Sequence, residues 1–166
     1  KSKGKISWEF QTFAPSVLRE NLSEWFDLDY DSPYMLFVSD VKTRHRTELK
    51  EDEKNLFGID KLNINRSKIS AVTHVDYSAR IQTVHKETNL MFHSLISKFN
   101  SITNCPILVN TSFNVRGEPI VCSPVDAFKC FMGTGLDVLV IGNHFLKKED
   151  QIEELKENYL EKYDLD

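Results

Sequence analysis

Pro106-Ile107-Leu108-Val109, then Asn110-Thr111-Ser112-Phe113-Asn114-Val115-Arg116-Gly117-Glu118-Pro119, then Ser123-Pro124-Val125-Asp126 is the stretch that decides the fold class. The apolar residues behind Pro106 read as a buried strand, and a polar turn follows at once. A helix start comes next, with Ser123 as N-cap, Pro124 at the first helical position and an acidic Asp126 at the third. That helix runs to about Met132, where Gly133 or Gly135 ends it. Strand, loop and helix in this order are the building unit of α/β proteins.

The same alternation continues outward in both directions. Upstream, Lys86 to Ile102 reads as a helix with an apolar stripe of Leu90, Met91, Leu95, Ile96 and Phe99. Strands are expected at Ile69–Thr73 and Ala79–Val84, and the run Tyr34 to Val41 reads as a buried strand. Behind Pro15, Val17, Leu18, Leu22, Trp25 and Phe26 recur at helical spacing, so 16–26 reads as a short helix. Residues 42–68 are charged and weakly periodic, an exposed excursion with a short helix at Lys50 to Leu56. Downstream, Asp137 to Gly142 reads as a buried strand, and 148–163 as a surface helix. Interleaved strands and helices predict a single α/β domain around a mixed sheet.

Length and composition agree with that reading. A chain of 166 residues suits one domain, which at this size buries roughly 70% of the surface its unfolded form exposes. The net charge of −4 argues against broad nucleic-acid binding, while leaving room for a local cationic pocket. Cys105, Cys122 and Cys130 are odd in number and lack a C-x-x-C pair, so they read as small buried hydrophobes. No signal peptide and no apolar run of 18 residues is present, which makes a cytoplasmic setting the expectation. The opening Lys-Ser-Lys-Gly-Lys lacks Met, and the chain is expected to be a piece of a longer polypeptide.

The densest polar constellation is Asn110 to Pro119. Asn110, Ser112, Asn114 and Arg116 follow a strand end, the place where α/β sheets bind ligands. Amides, a hydroxyl and a guanidinium suit phosphate oxygens, because the planar fork of arginine grips two oxygens at once. The plainer reading is that Asn, Ser and Gly make a turn. A second constellation runs from Thr73 to Thr83. There Arg80, Gln82 and Val84 share one strand face, so Arg80 and Gln82 form a second donor patch. His74 and Asp76 have the spacing of a metal or acid/base pair; a hydrogen-bonded turn, or a role in orienting a nucleotide, is the plainer reading. Lys5 and Gln11, ahead of Phe13-Ala14-Pro15-Ser16, carry no signal of their own. Neither G-x-G-x-x-G, G-x-x-x-x-G-K-[ST], G-x-S-x-G nor H-E-x-x-H occurs.

Four ordered blocks carry a resemblance. They are Phe13-Ala14-Pro15-Ser16-Val17-Leu18, Val72-Thr73-His74-Val75-Asp76, Ser78 to Val84, and Asn110 to Asn114 with Arg116-Gly117-Glu118-Pro119-Ile120. From about Lys5 to Phe145 the chain resembles the C-terminal region of the carbamoyltransferases of nodulation-factor and antibiotic biosynthesis. The resemblance implies a YrdC-like domain that binds ATP, with Mg2+, and carbamoyl phosphate. It further implies formation of carbamoyl adenylate, whose carbamoyl group passes to an acceptor hydroxyl in an N-terminal domain of the same parent chain. Lys5, Arg80 and Arg116 fall on cationic positions of that site, and Ser112 and Asn114 on its S-x-N element.

The chain also departs from the family's pattern. Ser7 and Gln11 stand where the family carries arginine, Trp8 and Thr12 replace its Glu and Pro, and Tyr77 replaces a glycine. One lost charge-assisted hydrogen bond costs about 1.5–3 kcal/mol of binding. Weaker carbamoyl phosphate binding, or a different acyl donor, is the expected consequence. Two alternatives stand beside the main reading: a YrdC-type domain making threonylcarbamoyl adenylate, and a nucleotide-binding or interface module without catalysis.

Overall fold

A computed structural model of the chain describes residues 13–56, 64–115 and 117–152. The fold is mixed α/β with a mixed sheet, as the alternation of elements predicts. Its contacts divide into two compact units, 1–111 and 112–166.

In the first unit, β1 (Ala14–Leu18), β2 (Phe37–Asp40), β3 (Ser78–Val84) and β4 (Ile107–Asn110) form one sheet in the order β2-β3-β1-β4. Strands β1 and β3 run parallel; β2 and β4 are antiparallel to their neighbours. Side chains alternate between the two faces. On one face Val17, Ala79, Ile81 and Ile107 join Leu22, Trp25, Phe26, Leu28, Val41, Ile69 and Val72 in the main core. On the other, Leu18 and Val84 pack with Ile96, flanked by Phe92 and Leu108. Ile96 and Phe92 belong to helix α3 (Leu90–Thr103), reached after the short helices α1 (Leu22–Trp25) and α2 (Glu51–Lys54).

Several sequence expectations change here. The helix expected at 16–26 is strand β1 followed by a 3-10 turn (Arg19–Asn21) and α1. Because β1 lies between two strands and both its faces are covered, Ala14 to Leu18 are all buried. A fully buried strand is a continuous apolar run, which short-range periodicity cannot separate from a helix. Pro15 is tolerated at the strand start because the parallel ladder begins only at Ser16. The expected buried strand at 34–41 is instead an edge strand, with Tyr34, Leu36, Phe37 and Val38 exposed and Val41 buried. At 69–73 the chain forms a 3-10 turn rather than a strand.

The charged excursion is not wholly exposed. His45, Arg66 and Ser67 are buried, and the Thr47 amide donates to the Arg66 carbonyl at 2.8 Å. Helix α3 starts at Leu90, with the Asn89 side chain accepting from the Phe92 amide. Of its predicted stripe only Ile96 is buried; Leu90, Met91, Leu95 and Phe99 remain exposed. The helix meets the sheet along one narrow line.

The second unit begins with the 112–119 loop and continues into α4 (Pro124–Gly133), β5 (Val138–Ile141) and β6 (His144–Lys147). The cap is the one expected: Ser123 Oγ accepts from the Asp126 amide at 3.1 Å and donates to its carboxylate at 2.6 Å. Gly133 ends the helix. Lys148 Nζ donates to the Phe131 and Thr134 carbonyls and sits 4.4 Å from the Phe131 ring, placing a cation on the exposed carbonyls. Strands β5 and β6 form a hairpin turned by Gly142 at φ 56°. Strand β5 is half-covered rather than buried, with Leu139 inward and Val138 and Val140 outward. The core here is Ala127, Phe131, Met132 and Leu139, flanked by Phe113, Val121 and Leu146. Of the expected tail helix at 148–163, residues 153–163 lie outside the described residues.

Candidate functional site

The sheet directions gather the sequence blocks of the first unit at one end. Because β1 and β3 are parallel, both start there. Ala14 pairs with Asn110 at the close of β4, and Asp40 at the close of β2 pairs with Ser78. The Phe13 block, the 73–78 turn and the exit at Asn110–Thr111 therefore share that end, although β1 and β4 lie far apart in sequence.

Gln82 is a node on one sheet face. Its Oε1 accepts from Ser16 Oγ at 2.6 Å and from Asn110 Nδ2 at 2.8 Å, while its Nε2 donates to the Pro33 carbonyl at 3.2 Å. The side chain expected to stand beside Arg80 as a ligand donor is thus committed to holding β1, β3 and β4 in register. Ser16, fully buried, is a partner that sequence reading missed. Its signal was a lone hydroxyl inside the apolar run 14–18.

Two residues earlier on the same face stands Arg80, exposed, opposite Val38. Among the described residues its guanidinium makes no hydrogen bond and no ion pair. An arginine without a protein partner keeps all five donors for a ligand. A surface cation neutralised by a nearby carboxylate is the plainer role for an exposed arginine, and the described residues show no such pair.

Ser78 lies two residues before Arg80, again on that face. Its Oγ donates to Asp76 Oδ1 at 2.7 Å, its amide donates to the same oxygen at 3.0 Å, and His74 Nδ1 lies 2.9 Å from Oγ. The Ser78 hydroxyl, then its amide, hold the Asp76 carboxyl below the usual carboxylate range. His74 and Asp76 are therefore brought together, through Ser78, by a hydrogen-bonded turn. The His74 amide donates to the Ser78 carbonyl at 2.8 Å, and the Tyr77 amide donates to the His74 carbonyl at 3.1 Å. No further metal-ligating side chain joins the pair among the described residues.

Tyr77 closes this turn at φ 67°, in the left-handed region that favours glycine. The Arg46 guanidinium lies 4.9 Å from the centre of its ring. Arg46 is itself held by Asp40 Oδ2 at 3.0 Å and by the Val41 carbonyl at 2.7 Å. A cation stacked on the ring thus offsets part of the backbone cost of a side chain at this position.

In the second unit, Asn114 Nδ2 donates to the Val115 and Glu118 carbonyls, both at 3.0 Å. Two carbonyl acceptors fix the amide's orientation, since the flipped form would set oxygen against oxygen. Both donors face inward, and the buried Oδ1 has no partner among the described residues. The Val115 amide donates to Glu118 Oε2 at 3.2 Å, and Gly117 at φ 81° completes the turn. The turn-forming reading therefore holds for Asn114, while Ser112 stays exposed and without a hydrogen bond among the described residues. Lys5, Gln11 and Arg116 lie outside the described residues.

Of the three cysteines expected to be buried only Cys130 is; Cys105 is half-buried, and Cys122 is exposed, its thiol donating to Asp126 Oδ2 at 3.5 Å just ahead of the helix start. Burial raises the thiols of Cys105 and Cys130, the latter to about 11. An open hollow of about 300 Å³ beside α1 is lined by Ser23, Phe26, Asp27, Leu28, Asp29 and Lys42, away from the polar face. Its cation, Lys42, is paired with Asp27 at 2.5 Å. No helix among the described residues is long and apolar enough to cross a membrane.

A family model described as "Carbamoyltransferase C-terminus" matches residues 3–148. An uncharacterized protein of Synechocystis is 52% identical over 165 residues, covering 99% of this chain and 27% of the relative. Nodulation protein NolNO of Sinorhizobium fredii is 41% identical, over 84% of this chain and 18% of its own length. The 3'-hydroxymethylcephem-O-carbamoyltransferase of Amycolatopsis lactamdurans is 28% identical, over 86% of this chain and 23% of its own. The chain thus spans about a quarter or less of the length of these relatives.

Proposed function

Because this chain belongs to the carbamoyltransferase C-terminus family, we propose that it is the part of an ATP-dependent O-carbamoyltransferase that makes carbamoyl adenylate. It takes ATP, with Mg2+ accompanying the nucleotide's phosphates, carbamoyl phosphate and one water. The water's oxygen displaces phosphate, the resulting carbamate displaces pyrophosphate from ATP, and pyrophosphate and phosphate are released. The acceptor hydroxyl is carbamoylated in the N-terminal domain of the parent chain. The fold in this reading is YrdC-like and the setting cytoplasmic.

The observation that carries the reading is Arg80. Among the described residues its guanidinium is uncommitted, on a sheet face at the end where the first unit's sequence blocks converge. Both substrates are polyanions, and negative charge gathers around phosphorus in the transition state. Fixed cations and donors serve such chemistry without a side-chain nucleophile. Arg80 supplies one cation; Lys5 and Arg116 supply the others by their place in the family's motifs. Gln82 supports the site indirectly, by anchoring Asn110 at the point where the chain leaves β4. A binding module without catalysis is the second reading, favoured by Gln11 and Ser7 at arginine positions.

Isothermal titration with ATP and with carbamoyl phosphate, alongside a pyrophosphate-release assay, tests the proposal. Arg80→Ala is expected to weaken anion binding roughly ten- to a hundredfold, the value of one lost charge-assisted hydrogen bond. Complete carbamoyl transfer is expected only from the longer parent polypeptide. ATP binding with no response to carbamoyl phosphate favours the non-catalytic module. Unchanged binding of both ligands by Arg80→Ala and Arg116→Ala refutes the site.

A further inference from the structure

We propose that Ser78 is a positioning residue that sets the tautomer of His74. It leaves His74 Nε2 as a hydrogen-bond acceptor for a neutral N–H or O–H group on a ligand whose anionic part rests on Arg80. The geometry permits one assignment of protons. Asp76 Oδ1 receives both the amide and the hydroxyl of Ser78, at 3.0 and 2.7 Å. The hydroxyl has a single proton. Were that proton turned toward His74, the Ser78 oxygen and the carboxylate oxygen would meet lone pair to lone pair at 2.7 Å. The proton therefore points at Asp76, and Ser78 Oγ can only accept at its other contact. His74 Nδ1, 2.9 Å away, must supply the proton there.

A neutral imidazole protonated at Nδ1 carries its lone pair on Nε2. Among the described residues Nε2 has no hydrogen-bond partner, and the ring is half-buried rather than enclosed. Arg80 follows Ser78 on the same strand face at i+2, about 7 Å along the strand. That face thus offers a cation and, one step away, a neutral acceptor. Phosphate oxygens, which are acceptors, belong at Arg80 and are disfavoured at His74. Hydroxyl or amide donors belong at His74. This refines the sequence reading, in which His74 and Asp76 make a hydrogen-bonded turn or orient a nucleotide, with no polarity assigned. The tautomer is independent of the proposed function, whereas the identity of the ligand rests on it.

Two donor groups fit: a ribose hydroxyl of ATP and the NH2 of carbamoyl phosphate. Nitrogen-15 NMR of the full chain with labelled histidine, His74 being assigned through His74→Gln, reads the tautomer directly. The expected result is a protonated Nδ1 and a bare Nε2 for neutral His74. Ser78→Ala should relax it toward the Nε2–H form, and Ser78→Thr should retain the native state. Binding of ATP against 2'-deoxy- and 3'-deoxy-ATP, and of carbamoyl phosphate against acetyl phosphate, then separates the two donors. One of these pairs should show a preference of roughly three- to tenfold that Ser78→Ala abolishes and Ser78→Thr keeps. A wild-type His74 protonated at Nε2, or a tautomer indifferent to Ser78→Ala, overturns the proposal. A preference of equal size in wild type and Ser78→Ala overturns its ligand half. Failure of all five phosphorylated ligands to bind, with the tautomer as stated, counts against the carbamoyl adenylate reading and the ligand half together, not against the role of Ser78.

Discussion

Replacing Gln82 by leucine removes three hydrogen bonds at once, and their surroundings differ. The Pro33 carbonyl and the Asn110 amide are within reach of water, so each lost bond costs about 0.5 kcal/mol, the low end for a neutral pair. Ser16 is fully buried, and its hydroxyl, 2.6 Å from Gln82 Oε1, is left without a partner. An orphaned buried donor costs about 1–3 kcal/mol, so Gln82→Leu should destabilise the chain by about 2–4 kcal/mol. Ser16→Ala alone should cost about 1 kcal/mol, because Asn110 still satisfies Gln82. In the double variant the orphan is gone, and the costs should fall short of additivity by about 1–2 kcal/mol. Urea unfolding followed by far-UV circular dichroism and by the fluorescence of the buried Trp25 measures all four corners of the cycle. Additivity within about 0.5 kcal/mol would mean that the two side chains do not act as a unit, and the account of Gln82 as the node of the sheet face would fail.

Two further predictions concern neighbouring features. His45 stacks on Trp25 at 3.8 Å, and burial pushes its imidazole below the ordinary 6.5, more than the Glu24 carbonyl beside it restores. The unfolded chain therefore takes up this proton first. Stability from this source is complete above about pH 6.5 and is lost as the pH falls toward the folded value, with a slope of at most about 1.4 kcal/mol per unit. His45→Phe, which keeps an aromatic stack, should flatten the unfolding profile between about pH 5 and 7; an unchanged profile refutes the assignment. At Tyr77, glycine should change stability by less than about 1 kcal/mol, since relief of the left-handed backbone is set against the lost Arg46 stack. Valine at 77, β-branched and without a ring, should cost about 1–3 kcal/mol by denaturant unfolding. Equal stabilities of the glycine and valine variants would rule out backbone conformation as the cause.

Local chemistry was legible where it is complete within a few residues. Ser123, Pro124 and Asp126 spell a helix start in sequence, and the same three residues make the cap. Arg80 and Gln82 were placed on one strand face by alternation alone, and they lie on one face. What those side chains do there was not legible. Among the described residues Arg80 makes no polar bond and Gln82 makes three, and the difference comes from Ser16, Pro33 and Asn110, which local spacing does not connect to Gln82. The misread 16–26 segment has the same origin, since burial on both faces is a property of β1's neighbours and not of its own pattern. The apolar stripe of α3 is the converse case. Its spacing promised a buried face, yet only Ile96 reaches the sheet.

By itself the sequence determined the interleaving of strands and helices, the ends of α4 and the cationic position at 80. Each follows from propensity, capping or alternation over a handful of residues. Only the tertiary structure decided that β1 lies parallel to β3 and antiparallel to β4, which sets Ser16 and Asn110, 66 and 28 residues from Gln82, against one amide. Strand order and register are chosen by hydrogen bonds and burial between distant segments, and no local pattern encodes them.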